Sequence, residues 1–352
     1  MILVTGGAGF IGSSFVIDWL ATSAEPVLTL DALTYAGNLQ NLESLAGDPR
    51  HRFVHGDIRD ASLLERLLAE HPIRGIVHLA AESHVDRSIH GPAAFIETNV
   101  TGSFTLLEAA RRYWQDLPHA DRERFRFLHV STDEVFGSLG PDDPPFSEDS
   151  GHRPNSPYAA SKAAADHLAR SYHRTYGLPV LTTHCSNNYG PRQFPEKLIP
   201  LCIHRALAGD TLPVYGDGRQ VRDWLHVEDH CAALRTVLAA GRPGEAYAIG
   251  AGSESANLDV VRTVCDILDG LRPRPDGRSR ADQIRFVPDR PGHDRRYALA
   301  TGKIARELGW RPTVSFAAGI RRTIDWYLAH EDWVANVTSG HYREWLARQY
   351  QP

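Results

Sequence analysis

The sequence predicts an α/β fold: a doubly wound parallel sheet followed by a smaller mixed α/β domain. Three observations lead there. Short, unbroken apolar runs alternate with helix-length amphipathic stretches through the first half of the chain. A glycine-rich turn follows the first apolar run. Near residue 185 the rhythm changes, Pro and Gly become denser, and the elements shorten.

The predicted strands are 2–5, 27–30, 52–54, 75–79, 125–130 and 179–183. Helical periodicity covers 10–22, 60–70, 92–116 and 157–176; in 92–116 it is carried by Ile96, Val100, Phe104, Leu107 and Ala110. A first domain of residues 1–185 is expected, with a return segment near 221–250, and a second of 186–352. Residues 270–282, rich in Arg, Pro and Asp, predict a solvated loop, and 315–349 predicts helix.

A chain of 352 residues exceeds what one core usually organises. Its 42% hydrophobic and 23% charged content is ordinary for a soluble enzyme, and a net charge of −5 argues against a nucleic-acid or anionic-membrane surface. Cys185, Cys202, Cys231 and Cys265 are widely spaced, which excludes a zinc knuckle or disulfide framework and fits a reducing compartment, the cytoplasm. Met1 leads straight into an apolar strand, so no signal peptide is expected, and no window approaches the roughly 18 apolar residues of a membrane span. The sequon at Asn336 is accordingly taken as accidental.

In the turn, Gly6, Gly9 and Gly12 have G-x-x-G-x-x-G spacing between a strand and a helix. Glycine lets the backbone approach a pyrophosphate, and the helix start offers free N–H groups. Asp31 ends the second strand, where a carboxylate accepts ribose hydroxyls and repels a 2′-phosphate, so NAD is expected over NADP. Ser156 and Pro157 suit a helix N-cap and first position, which places Tyr158 and Lys162 on one helix face at i and i+4. An ammonium near a phenol, helped by an oxidised nicotinamide, lowers the phenol's pKa and makes it a usable base.

The stretch STDEVFG (131–137) sets Asp133 beside Glu134 at the end of a buried strand. Like charges repel and desolvation is expensive, so the pair belongs either to a solvated turn or to chemistry that needs two acids.

Several stretches now carry a resemblance: TGGAGFIGS, DALTYAGN, AAESHVDRSI, STDEVFG, YAASK, CSNNYGPRQFPEKLIP, GDGRQVRDWLHVEDH and DRPGHDRRYA. In this order, from residue 5 to about 298, they resemble the extended short-chain dehydrogenase/reductases and, more narrowly, the dTDP-glucose 4,6-dehydratases. The resemblance implies a Rossmann domain binding NAD, a smaller domain binding the nucleotide sugar, and a homodimer through helices assigned here to 92–116 and 157–176. For the cofactor it implies Gly6, Gly9, Phe10, Ile11, Gly12, Asp31, Leu33, Thr34, Gly37, Asn38, Asp57, Ile58, Leu79, Ala80, Ala81, Ser83, Thr98, Tyr158, Lys162 and Asn188. For the substrate it implies Ser83, Thr132, Asn187, Lys197, Leu198, Ile199, Pro213, Tyr215, Arg222, Asn257, Arg290 and His293, with Arg222 the main diphosphate ligand. The implied chemistry is oxidation at the sugar C4, with Tyr158 as base and Thr132 on O4. Glu134 then removes the C5 proton, Asp133 protonates the departing 6-hydroxyl, and hydride returns to C6.

Phe136 stands where most relatives have Tyr, with packing its expected role, and Arg192 is a further departure without an assigned role. His226 and His230 are i, i+4, but the run is not H-E-x-x-H, and no metal is expected. A Ser-His-Asp hydrolase lacks its G-x-S-x-G elbow. The competing readings are a nucleotide-sugar 4-epimerase or decarboxylase, which has no use for the acidic pair, and a non-catalytic dinucleotide-binding protein, which would not retain Tyr158 and Lys162.

Overall fold

Seven parallel strands form the central sheet of the computed structural model, which describes residues 1–338. Among the described residues the strands are β1 (Ile2–Thr5), β2 (Val27–Asp31), β3 (His51–His55), β4 (Gly75–His78), β5 (Arg126–Thr132), β6 (Val180–Cys185), β7 (Asn187–Tyr189), β8 (Leu212–Tyr215), β9 (Val221–His226), β10 (Ala246–Ile249), β11 (Glu254–Ala256) and β12 (Ile284–Val287). The large sheet runs β10-β6-β5-β4-β1-β2-β3. Strands β1, β2 and β4 are buried at every position, because helices cover both faces.

One face packs Phe15, Trp19, Leu234 and Val237 from helices Phe10–Thr22 and Val227–Ala240. The other packs Leu64, Leu67, Leu106, Leu107 and Phe127, with helices Ala61–Glu70 and Ser103–Asp116 supplying most of it. The strand order reverses between β1 and β4, and the crevice at their carboxyl ends is where such sheets bind ligands. A third cluster, with Ile199, Val260, Val264, Ile320 and Ile324, sits around the small β11-β9-β7 and β12-β8 sheets.

Two differences from the sequence expectation bear on the site. Strand β5 extends to Thr132, because its pairing with β6 continues through Thr132 opposite Cys185. The stretch 92–116 is not one α-helix: α-helical Pro92–Phe95 passes into π-helical Ile96–Gly102 before Ser103–Asp116 resumes. Buried Asn99 explains the break. Its side chain accepts from the Glu82 amide and donates to the Glu82 carbonyl and Ser161 Oγ, which ties the widened turn to the loop after β4. Toward the C-terminus, helices Phe316–Ala329 and Glu331–Val337 fulfil the expected helix as far as Thr338, and 339–349 lie outside the described residues.

Candidate active site

The glycine turn is close-packed. Gly6 has φ +71°, and a Cβ on it would stand 2.7 Å from the Ala80 backbone nitrogen; one on Gly12 would stand 2.1 Å from the Gly6 carbonyl oxygen. Gly9 begins helix Phe10–Thr22 with no side-chain cap, so the first N–H groups face the crevice. Asp31 accepts from the amides of Ala8 (2.9 Å) and Leu33 (2.8 Å). Burial pushes its carboxyl up while these amides pull it down.

From this turn a cavity of about 500 Å³ runs past Asp31, Thr34, Gly37, Asp57, Ile58, Leu79, Ala80, Ala81, Ser83 and Thr98 to Thr132, Tyr158, Lys162 and Asn188. Phe10 and Ile11 also line it. Its length, its glycine floor and its terminal acid fit a dinucleotide. Leu33 and Asn38 line neither this cavity nor its neighbour. Leu33, in the left-handed region at φ 51°, serves Asp31 through its amide. Asn38 caps Leu39–Leu45 through the Gln40 amide.

Tyr158 and Lys162 lie in helix Pro157–Tyr176, which Ser156 caps through the Ala159 amide. Lys162 Nζ donates to the Val130 carbonyl at 2.8 Å. Burial and the nearby Glu134 charge push the Tyr158 phenol well above its usual range, while a hydrogen bond with the Thr132 hydroxyl works the other way. In the protein alone Lys162 does not offset that rise.

Asp133 and Glu134 open the single turn Asp133–Phe136, for which Thr132 is the cap. Gly137 ends it at φ +86°, where a Cβ would meet the Arg153 carbonyl oxygen at 2.4 Å. Asp133 is 1% exposed. Burial and the Glu134 charge push its carboxyl well above its ordinary range, which favours the protonated form. Its Oδ2 is buried without a partner. For Glu134 burial also raises the pKa, but Arg290, Lys197 and Arg222 pull against it. Both carboxyls are thus pushed up, Asp133 the further of the two, so the neighbouring acids differ in how readily each gives up its proton.

A second cavity, of about 160 Å³, adjoins the first and shares Glu134, Asn187, Asn188 and Lys197 with it. Leu198, Ile199, Pro213, Tyr215, Arg222, Asn257, Arg290 and His293 line it. Buried Arg222 donates to the carbonyls of Val221 and Asp294 and stands 4.3 Å from the Tyr297 ring centre, so its charge is not spent on a carboxylate. Arg290 pairs with Asp86 at 3.0 Å, and its Nε is buried without a partner. His293, hydrogen-bonded to Asp289, is lowered to about 4 by burial and by Arg290. Unpartnered Asn187 Oδ1 and Asn188 Oδ1 add acceptors. Buried polar atoms normally find partners, so such a set marks a place built for a polar, anionic ligand.

Sequence reasoning missed Glu196, which lines both cavities and pairs with Arg87 at 3.1 Å, and Asp86, which holds Tyr215 Oη as well as Arg290. Glu196 and Lys197 are adjacent charges inside an apolar run, a signal related to that of Asp133 and Glu134 but made by opposite signs. Phe136 packs on Phe146, His152 and His184. Arg192, at φ 67°, lies 5.8 Å from the Trp326 ring centre. His226 caps Val227–Ala240, and buried His230 is lowered to about 3 by desolvation.

The family model described as GDP-mannose 4,6 dehydratase matches residues 3–323. A dTDP-glucose 4,6-dehydratase of Xanthomonas campestris pv. campestris (strain B100) is 60% identical over 341 residues, 97% of each chain. The crystal structure of DesIV, a dTDP-glucose 4,6-dehydratase from Streptomyces venezuelae with NAD bound, superposes with TM-score 0.86 at 52% identity, covering 96% of this chain and 99% of that one. A Thermus thermophilus UDP-glucose 4-epimerase in complex with NAD shares the scaffold at only 32% identity, with TM-score 0.80 over 94% and 99% of the two chains. With the acidic pair in place and these likenesses spanning nearly its whole length, the chain belongs to the dTDP-glucose 4,6-dehydratases.

Proposed function

We propose that the protein converts dTDP-glucose to dTDP-4-keto-6-deoxyglucose and water, with NAD regenerated in each turnover. The observation that carries this is the acidic pair at the junction of the two cavities, one acid pushed well toward its neutral form and the other among three cations. A 4-epimerase has no step for two such groups. Bound NAD would supply a reversible hydride acceptor and, in its oxidised form, a positive charge that favours the phenolate of Tyr158. The Gly6–Gly12 turn and Asp31 would hold it, and Arg222, Arg290, His293 and Asn257 would hold the substrate diphosphate and nucleoside.

Tyr158 takes the proton of the sugar 4-hydroxyl while Thr132 hydrogen-bonds the same oxygen. The 4-ketone acidifies the C5 proton, which Glu134 removes. Asp133 gives its proton to the leaving 6-hydroxyl, and that proton leaves with the water. Incubation with dTDP-glucose followed by mass spectrometry tests the reading: a product lighter by one water with no net consumption of NAD is expected. An unchanged mass with inverted C4 would overturn it in favour of epimerisation.

Gly12→Ala places a methyl group against the Gly6 carbonyl, a backbone atom that cannot swing aside. NAD affinity, measured by calorimetric titration, is expected to fall on the order of 100-fold, since an ångström of misplacement can be worth that much. Unchanged affinity would show that the turn does not seat the pyrophosphate.

The proposal extends to two functional units: residues 1–185 with the 221–250 return for the cofactor, and 186–352 for the nucleotide sugar. Support for the return is β10, which adds to the large sheet beside β6. We also place the enzyme in the cytoplasm as a homodimer. Four buried, unpaired cysteines favour a reducing compartment, and no described helix is long and apolar enough to cross a membrane. Ile96 and Phe104, 50% and 46% exposed on the 92–116 stretch, offer apolar surface for a second copy. Phe104→Glu is therefore expected to give monomers by light scattering at concentrations where the parent is dimeric; an unchanged mass would remove this face from the interface.

A further inference from the structure

Beside the catalytic turn, where helix Pro157–Tyr176 packs against β5 and β6, lies a cluster that the dehydration does not use. Asp166, one helical turn beyond Lys162, is 5% exposed. Its Oδ1 meets His129 Nε2 at 2.9 Å; its Oδ2 meets Ser131 Oγ at 2.9 Å, His184 Nε2 at 3.1 Å and His152 Nε2 at 3.9 Å. Among the described residues, His152, Asp166 and His184 are the set whose ligand atoms all lie within 4.8 Å of one another.

We propose that His152, Asp166 and His184 form a binding site for a divalent transition-metal ion of the zinc or cobalt type. Two imidazoles and a carboxylate suit such ions. Ligands about 2.1 Å from a tetrahedral ion stand roughly 3.3 Å from each other. The 3.1 Å pair already meets that spacing, and the 3.9 Å pair needs only a small turn of the His152 ring. His152 sits in the loop before Ser156 with its side chain 18% exposed, which gives an ion access from solvent and gives the ring room to turn. A second, independent feature supports the assignment: the carboxylate has its own supports. His129 holds Oδ1 and Ser131 holds Oδ2, the outer hydrogen bonds that orient a ligating carboxylate. Phe136, whose ring centre lies 5.4 Å from that of His152 and 4.8 Å from that of His184, walls the site off from the acids of its own turn. The ion would staple three pieces together: the loop after the catalytic turn, helix Pro157–Tyr176 and β6.

The test uses the untagged full-length protein, freed of metal by a chelator that is then removed, and titrated with Co²⁺. One ion per chain is expected, with the intense visible absorbance of a tetrahedral site. Zn²⁺ should displace it and raise the melting temperature. In His152→Ala, Co²⁺ affinity should fall about tenfold or more and the Zn²⁺-dependent rise should vanish. If that variant does not fold, His152→Gln carries the same comparison. Absence of a Co²⁺ spectrum in the parent protein, or unchanged affinity in the variant, would overturn the assignment, leaving the histidines as hydrogen-bond partners of Asp166.

Discussion

Glu134→Gln is expected to abolish water loss while leaving oxidation at C4 in place. The amide matches the carboxylate in shape but cannot accept the C5 proton, and a positioned general base contributes about 10²–10⁴-fold. Dehydratase turnover should fall by that factor. Oxidation depends on other groups, Tyr158, Thr132 and Lys162, so the absorbance of reduced nicotinamide should still rise when substrate is mixed with the variant. The Glu134 charge also helps hold the Tyr158 phenol above its usual range. Removing it should move the onset of that absorbance change to lower pH. Wild-type water loss in this variant would defeat the role given to Glu134, and loss of the absorbance change as well would recast Glu134 as a group that positions the sugar.

Sequence reasoning reaches such experiments where function is written in contiguous residues. Gly6, Gly9 and Gly12 share one turn, Tyr158 and Lys162 share one helix face, and the acids are neighbours. Each pattern has a local physical meaning that survives without coordinates. Features made by distant segments were not legible in this way. The π-helical break rests on Asn99 reaching Glu82 and Ser161, 17 and 62 residues away. Glu196 finds Arg87 across 109 residues. The histidines around Asp166 have no motif spacing at all; the pairing of β5 with β6 brings His129 and His184 to it. Arg222 and Arg290 were named only through resemblance, because a lone Arg in sequence is most often a surface residue, and what distinguishes these two is burial.

The state of Asp133 has a consequence for stability as well as for catalysis. Unfolded, an aspartate titrates near 3.9; folded, this one titrates well above that because of burial and the charge of Glu134. Between those two values the native state holds a proton that the unfolded chain has released. Stability from this group is therefore full below the unfolded pKa and is lost as pH rises through the folded pKa, at up to about 1.4 kcal/mol per pH unit. Asp133→Asn carries no such proton. It should be more stable than the parent in denaturant titrations at pH 8, with the gap closing as pH falls toward 4. Glu134 keeps its own raised pKa, so the variant's profile should flatten without becoming level. Catalysis moves the opposite way. Without an acid for the 6-hydroxyl, turnover should drop about 10²–10⁴-fold, yet Glu134 can still remove the C5 proton, so deuterium from the solvent should enter C5 of unreacted substrate. Glu134→Gln should show no such exchange. A stability gap that does not widen with pH would contradict a protonated Asp133, and wild-type water loss in Asp133→Asn would give the leaving hydroxyl's proton to another group.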